Sequence, residues 1–107
     1  MPRPGREKKK LSRFIALEWA VVDSKAWQEL TNPARVAYIH LRRKVTNSNP
    51  GEITLSYNEM EKFMNRHTFA DALTQLEKKG FIEKTQMGGL YRRRNFFRLT
   101  NEWRNGR

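Results

Sequence analysis

The stretch that decides the fold is residues 65–82, NRHTFADALTQLEKKGFI. Its apolar residues recur at three- and four-residue spacing, which predicts an amphipathic helix over 65–79. The predicted buried stripe is Phe69, Ala72, Leu73 and Leu76. Gly80 occupies the position at which helices end on a left-handed residue, and a strand candidate follows at 81–86. The stretch therefore predicts a helix that runs directly into a strand.

Capping residues predict further helices upstream. Ser56, with Glu59 at the reciprocal capping-box position, predicts a helix through Met64 with Met60, Phe63 and Met64 on its apolar face. Thr31 or Asn32 predicts the start of another helix, with Pro33 in its first turn. The apolar positions of that helix are Ala34, Ala37, Tyr38, Leu41 and Val45.

The remaining segments are shorter. Asp23 and Ser24 predict a short helix ending near Leu30, and the apolar segment 14–22 is interpreted as a short strand or an extended arm. A turn is expected at 47–51, and a short strand at 52–55. The segments 81–86 and 91–100 are strand candidates joined by the glycine-containing turn 87–90. Trp103 is expected to fold back and close the core.

This order of elements resembles the winged helix-turn-helix family. Residues 68–82 are similar to the family's recognition helix running into its wing, and residues 53–57 and 27–41 look like its strand and scaffold helix. The resemblance covers about residues 24–103 and is to small bacterial and phage-type transcriptional regulators and replication-initiator domains. It implies an α+β, mostly helical fold with a small antiparallel β-hairpin wing. The expected organisation is a flexible basic arm at 1–13, the winged domain at 14–103 and a basic tail at 104–107.

The charge distribution indicates a polyanion partner, and the resemblance implies that this partner is double-stranded DNA. The net charge of +11 divides into +5 over residues 1–13, +1 over 14–91 and +5 over 92–107. Basic charge concentrated in this way is typical of a protein that binds a polyanion. The predicted function is sequence-preferring DNA binding, first as a transcriptional regulator. The alternatives are a replication or accessory role on a plasmid or phage, and a protein-interaction module.

The resemblance implies that exposed residues of the recognition helix and wing contact the DNA. A bidentate contact with guanine is expected for Arg66 and one with adenine for Gln75, and Thr68 and Thr74 are expected to bond phosphate or bases. The predicted set is Arg66, His67, Thr68, Thr74, Gln75, Lys78, Arg92, Arg93 and Arg94. Asp71 departs from this pattern, since phosphate repels a carboxylate. It holds Arg66 or Lys78, accepts from cytosine, or marks a helix rotated away from DNA.

Enzymatic chemistry is not expected. Glu77 and Lys79 have the acid-x-Lys spacing of some metal-dependent nucleases, but on a predicted helix rather than a strand. The chain has no cysteine, and its two histidines, His40 and His67, are too far apart in sequence to indicate a metal site. No cofactor, metal or small-molecule substrate is predicted.

The expected setting is the cytoplasm, in association with the nucleoid. No apolar run approaches the roughly 20 residues that a membrane span needs, so no membrane partner is predicted. RNA binding is disfavoured because Phe96 is the only aromatic residue that strand alternation clearly directs outward. A homodimer is left open, since one module buries only about 600 to 1,000 Å² on DNA.

Overall fold

The computed structural model describes residues 13–46, 51–86 and 96–105, and about half of these are helical. A two-stranded antiparallel sheet completes a small α+β fold, so the predicted fold class is confirmed at that level. The elements in chain order are α1 (Trp19–Asp23), α2 (Lys25–Gln28), α3 (Asn32–Arg42), α4 (Tyr57–Met60), α5 (Arg66–Lys78), β1 (Ile82–Gln86), β2 (Phe96–Leu99) and the 3₁₀ helix η1 (Glu102–Asn105).

The predicted caps at Ser24, Thr31 and Ser56 are confirmed, and Asn65 caps α5 in the same way. The side chains of Ser24, Thr31, Ser56 and Asn65 each accept a hydrogen bond from the backbone N–H three residues later. At Ser56 the capping box is complete, because Glu59 Oε2 also accepts from the Ser56 N–H at 3.2 Å. These caps use backbone donors that a helix cannot satisfy internally, so local sequence determines where α2, α3, α4 and α5 begin, whereas α1 begins at Trp19 without a side-chain cap.

An aromatic cluster fills the centre of the core. The rings of Trp27, Tyr38 and Phe81 meet edge to face, with centroids 5.4–6.0 Å apart. Trp103 stacks on Phe81 at 5.9 Å and is 5 % exposed, which confirms that it closes the core. Each such ring removes a large area from water, and the edge-to-face geometry adds about 0.5–1.5 kcal/mol per pair. The cluster therefore joins α2, α3 and the strand side of the molecule into one body.

Gly80 makes the turn from α5 into β1. Its φ of +86° is the left-handed conformation predicted for it. A Cβ on this residue would lie 2.7 Å from the backbone nitrogen of Trp103 and 2.7 Å from Cβ of Glu102. The Gly80 carbonyl also accepts hydrogen bonds from the Trp103 N–H at 3.1 Å and from Thr100 Oγ1 at 2.6 Å. Both the backbone conformation and the space at this position require glycine.

The sheet lies beside α5. Strands β1 and β2 pair antiparallel, with Ile82 opposite Leu99 and Lys84 opposite Phe97. Ile53 adds one antiparallel bridge to Phe97, with N···O distances of 3.1 and 2.8 Å. The strand expected at 52–55 is therefore reduced to this single bridge among the described residues.

Several local expectations were wrong. Residues 19–22 belong to α1 rather than to a strand or an extended arm. Helix α4 ends at Met60, not at Met64, and Phe63 is 56 % exposed rather than part of an apolar face. Helix α3 ends at Arg42, which leaves Val45 outside it and 38 % exposed. Phe63 and Val45 lie beyond the last helical residue of α4 and α3, so helical spacing did not predict their exposure, whereas Met64 is buried as expected.

Some predictions fall outside the described residues. These are most of the basic arm (1–12), the turn at 47–50, the glycine turn at 87–90 and the segment 91–95, which includes Arg92, Arg93 and Arg94. Across the described ranges, no helix combines the length and apolar character needed to cross a bilayer.

Candidate nucleic-acid interface

One side of α5 is open to solvent along its whole length. Successive helical residues are rotated by about 100°, so Phe69, Ala72 and Leu76 share the side that packs into the core, and all three are buried. The opposite side, called here the outer face of α5, consists of exposed residues: Arg66, His67, Ala70, Asp71, Thr74 and Lys78. The described part of the chain therefore does not cover the outer face.

Arg66 begins the outer face and is held by an aromatic ring. Its guanidinium carbon lies 4.4 Å from the centroid of Tyr57, and Tyr57 in turn packs against Phe69, with centroids 6.2 Å apart. The guanidinium of Arg66 makes no hydrogen bond or ion pair with any described residue, although it carries five N–H donors. The ring restrains the planar group while its donors stay available to an outside acceptor.

The sequence did not identify Tyr57 as a site residue. It is half-buried at the first position of α4, directly after the Ser56 cap. The only sequence signal was an aromatic residue in the first turn of a capped helix. Its partner Arg66 is nine residues away, in a different helix, and that contact depends on how α4 packs against α5.

The other α5 residues predicted to contact DNA differ in their exposure and in their hydrogen bonds. His67 is exposed, whereas Thr68 is half-buried and its N–H donates to the Asn65 side chain at 2.8 Å. Thr74 is exposed, but its hydroxyl donates to the Ala70 carbonyl at 3.1 Å. That hydroxyl keeps its acceptor capacity, so it is limited to accepting while this bond persists.

Gln75 occupies a structural position rather than the outer face. Its Nε2 donates to Thr31 Oγ1 at 3.0 Å, and its Oε1 accepts from the Thr31 N–H at 3.0 Å. The same Nε2 donates to Asp71 Oδ2 at 2.8 Å. Both polar atoms of the amide are thus used to join α5 to the start of α3, so the expected bidentate contact with adenine would require breaking these bonds.

The same network accounts for Asp71. Its carboxylate accepts from Gln75, and the expectation that it holds Arg66 or Lys78 is not what the structure shows. Gln75 in turn bonds Thr31, the capping residue of α3, so Asp71 helps to orient the amide that joins the two helices. Asp71 is therefore explained by packing between α3 and α5.

Neighbouring lysines at the end of α5 have different surroundings. Lys78 is exposed and makes no bond to a described residue. Lys79 pairs with Glu29 of the segment after α2, with Nζ and Oε1 2.5 Å apart. The hydrogen bond and charge of Lys79 lower the pKa of Glu29 below its ordinary value. Only Lys78 is left available to a ligand.

A cleft separates the first half of α5 from the sheet. Its volume is about 530 Å³, and it is lined by Thr54 and Leu55 on one side, Arg66 and Ala70 on the other, and Phe97 of β2. Arg92 to Arg94 precede the first residue of β2 by two to four positions in sequence. Arg66 and the β2 end of the sheet thus border the same cleft.

Most of the positive charge is not on the described body. The described residues include 13 Lys and Arg and 10 Asp and Glu, a net charge of +3 out of +11. On the outer face itself, Arg66 and Lys78 are accompanied by Asp71, with Glu77 half-buried beside them. Helix α5 is therefore close to neutral, and the excess charge belongs to the segments 1–12, 87–95 and 106–107.

The described residues contain no group of three His, Asp or Glu side chains that could hold a metal ion. No protein-family model, curated protein or solved structure shows significant similarity to this chain.

Proposed function

We propose that this protein binds double-stranded DNA as a winged helix-turn-helix, with the outer face of α5 in the major groove. In this arrangement α3 is the scaffold helix, α4 precedes the recognition helix α5, and β1 and β2 form the base of the wing. The major groove is about 12 Å wide, which matches the roughly 10–12 Å diameter of one helix with its side chains. Helix α5 has 13 residues, so it is about 20 Å long.

The observation that carries the proposal is the position of Arg66 and its lack of a hydrogen-bond acceptor among the described residues. It lies in the first turn of an uncovered helix, its guanidinium rests on Tyr57 at 4.4 Å, and no described residue accepts from it. N-terminal residues of a recognition helix are those that reach base edges. A guanidinium donates two parallel hydrogen bonds to O6 and N7 of guanine. In the proposed complex Arg66 therefore reads a guanine, and His67 and Lys78 contact neighbouring phosphates.

The charge distribution supports a phosphate-binding role for the flanking segments. Each phosphate that a protein neutralises adds about 0.9 to the slope of log K against log salt. Arg92, Arg93 and Arg94 lie within a segment of net charge +3, and residues 1–12 carry +4. These segments supply affinity that a nearly neutral α5 does not. Occupying DNA in this way suits a transcriptional regulator first, and a replication accessory protein second.

The proposal is tested by selecting bound duplexes from a random DNA pool, at about 50 and about 200 mM salt. We expect an enriched motif that contains a guanine whose replacement weakens binding. Arg66→Ala should weaken binding to that motif by about 5- to 150-fold, which corresponds to the 1–3 kcal/mol of a bidentate base contact. Arg66→Lys keeps the charge but not the paired donors, so it should lose most of the preference for guanine.

Lys25→Ala is the matched control, because Lys25 is an exposed cation on α2. It should leave the motif and the affinity unchanged. An unenriched pool at both salt concentrations would contradict sequence-preferring binding. An enriched motif whose affinity is the same for Arg66→Ala and Lys25→Ala would remove α5 from the interface.

A further inference from the structure

A second surface of the molecule combines exposed apolar side chains with unpaired cations. It is a groove of about 680 Å³ between the segment before α1 and the end of α3, called here the α3 groove. The lining residues on which the inference depends are Arg13, Phe14, Ile15, His40, Arg43 and Val45. None of them belongs to the outer face of α5. The α3 groove is therefore separate from the outer face of α5, although Arg13 directly follows residues 1–12, which the proposed function assigns to phosphate binding.

The apolar side chains of the α3 groove are exposed to solvent. Phe14 is 74 % exposed, Val45 38 % and Ile15 37 %. Phe63, which is 56 % exposed, packs against His40 with ring centroids 4.9 Å apart, so the apolar surface continues beyond the groove. Single exposed apolar residues are ordinary, whereas a contiguous group on a small domain is typical of an interaction site.

The charged part of the α3 groove has one sign. Among the described residues no carboxylate lines it, and the guanidinium groups of Arg13 and Arg43 make no hydrogen bond or ion pair with any of them. Arg42 donates to the Ala16 carbonyl at 3.5 Å, a long contact that positions the segment before α1. Burial lowers the pKa of His40 below its ordinary value, and Arg43 acts in the same direction. The nearby Glu59 is paired with Lys44.

We propose that the α3 groove binds an acidic amphipathic segment of another protein, with the segment's apolar side chains on Phe14, Ile15 and Val45 and its carboxylates on Arg13 and Arg43. A second copy of this chain would bring another net charge of +11 to a cationic surface, so it is a poor occupant. DNA phosphates would match the cations but would leave the apolar side chains without a partner. A concave surface accepts an inserted helix face, as in other helix-in-groove complexes.

The probe is a library of random 12-residue peptides displayed on phage and panned on the full chain. Panning is repeated on Arg43→Glu, and on Lys25→Glu as a control with the same charge change on α2. We expect an enriched pattern of Asp or Glu with Leu, Ile, Phe or Trp at three- or four-residue spacing. Synthetic peptides with this pattern should bind the wild type and Lys25→Glu equally. They should bind Arg43→Glu and Phe14→Ser about fivefold more weakly or worse.

Other outcomes overturn the proposal. These are no enriched pattern, a pattern recovered equally on Arg43→Glu, or peptides that bind equally well after scrambling. Two parallel measurements distinguish other occupants, namely binding of a labelled DNA duplex and of vesicles rich in anionic lipid. If Phe14→Ser weakens either of these by fivefold and leaves peptide binding unchanged, the groove belongs to DNA or to a lipid surface. The substituted residues are exposed, and thermal unfolding of each variant checks that the fold persists.

Discussion

Tyr57 should contribute to DNA binding only through Arg66. In the structure the ring lies 4.4 Å from the guanidinium carbon, and the pair is at the surface, where a cation–π contact is worth about 0.5–1 kcal/mol. An arginine side chain also carries about 2 kcal/mol of rotamer entropy, part of which the ring removes before DNA arrives. We therefore expect Tyr57→Leu to weaken binding to a guanine-containing duplex by about two- to fivefold.

The assay is a double-mutant cycle measured by fluorescence anisotropy with one labelled duplex at fixed salt. It compares the wild type, Tyr57→Leu, Arg66→Ala and the double variant. If the ring acts through the guanidinium, Tyr57→Leu has no further effect once Arg66 is alanine. The coupling free energy should then be about 0.5–1 kcal/mol. Tyr57→Phe keeps the ring and should behave as the wild type.

A structural role for Tyr57 gives a different result. Tyr57 also packs against Phe69, with ring centroids 6.2 Å apart, so leucine is expected to cost some unfolding free energy. That cost appears equally with and without Arg66, and urea denaturation measures it separately. A coupling below about 0.3 kcal/mol, the usual limit of additivity, would refute the conclusion that the ring prepares Arg66 for a ligand.

Two further predictions concern residues that hold α5 in place. Gln75→Ala removes both hydrogen bonds to Thr31, and at their partly exposed position we expect a loss of about 1 kcal/mol in urea denaturation. The selected DNA motif should not change, and a lost preference for adenine would instead restore Gln75 as a base-reading residue. Gly80→Ala combines a left-handed φ with a Cβ placed 2.7 Å from the Trp103 backbone nitrogen. These two effects sum to about 2–5 kcal/mol, so the midpoint of thermal unfolding should fall by at least about 10 °C. A midpoint within about 3 °C of the wild type would contradict the geometry described for this turn.

The elements that could be predicted from the sequence are those that local interactions determine. Ser24, Thr31 and Ser56 bond backbone groups only three residues away, so a short window of sequence contains both partners. Gly80 is similar, because the end of a helix creates the need for a left-handed residue. The buried stripe of α5 follows from helical spacing: Phe69, Ala72 and Leu76 are buried as predicted, and Leu73 is partly buried against the core.

The elements that could not be predicted depend on distant partners. Gln75 and Thr31 are 44 residues apart, and helical spacing showed only that Gln75 was outside the buried stripe. The strand at 52–55 needed pairing with β2, and a single bridge between Ile53 and Phe97 is what that pairing provides. Spacing also cannot distinguish an apolar side chain in the core from one such as Phe63 on the surface. Contacts between residues that are distant in sequence determine the outcome at each of these positions.

In the proposed DNA site, affinity and sequence preference come from different residues because of where the charge lies. The outer face of α5 contains Arg66 and Lys78 but also Asp71, so it has little net attraction for a duplex. Residues 1–12 and 87–95 together carry +7 of the net +11, and charge of this kind attracts phosphates without regard to sequence. On the proposed function, those segments hold the protein on DNA and set its salt dependence. The rigid body, through Arg66 and the ring beneath it, then determines which sequence is bound.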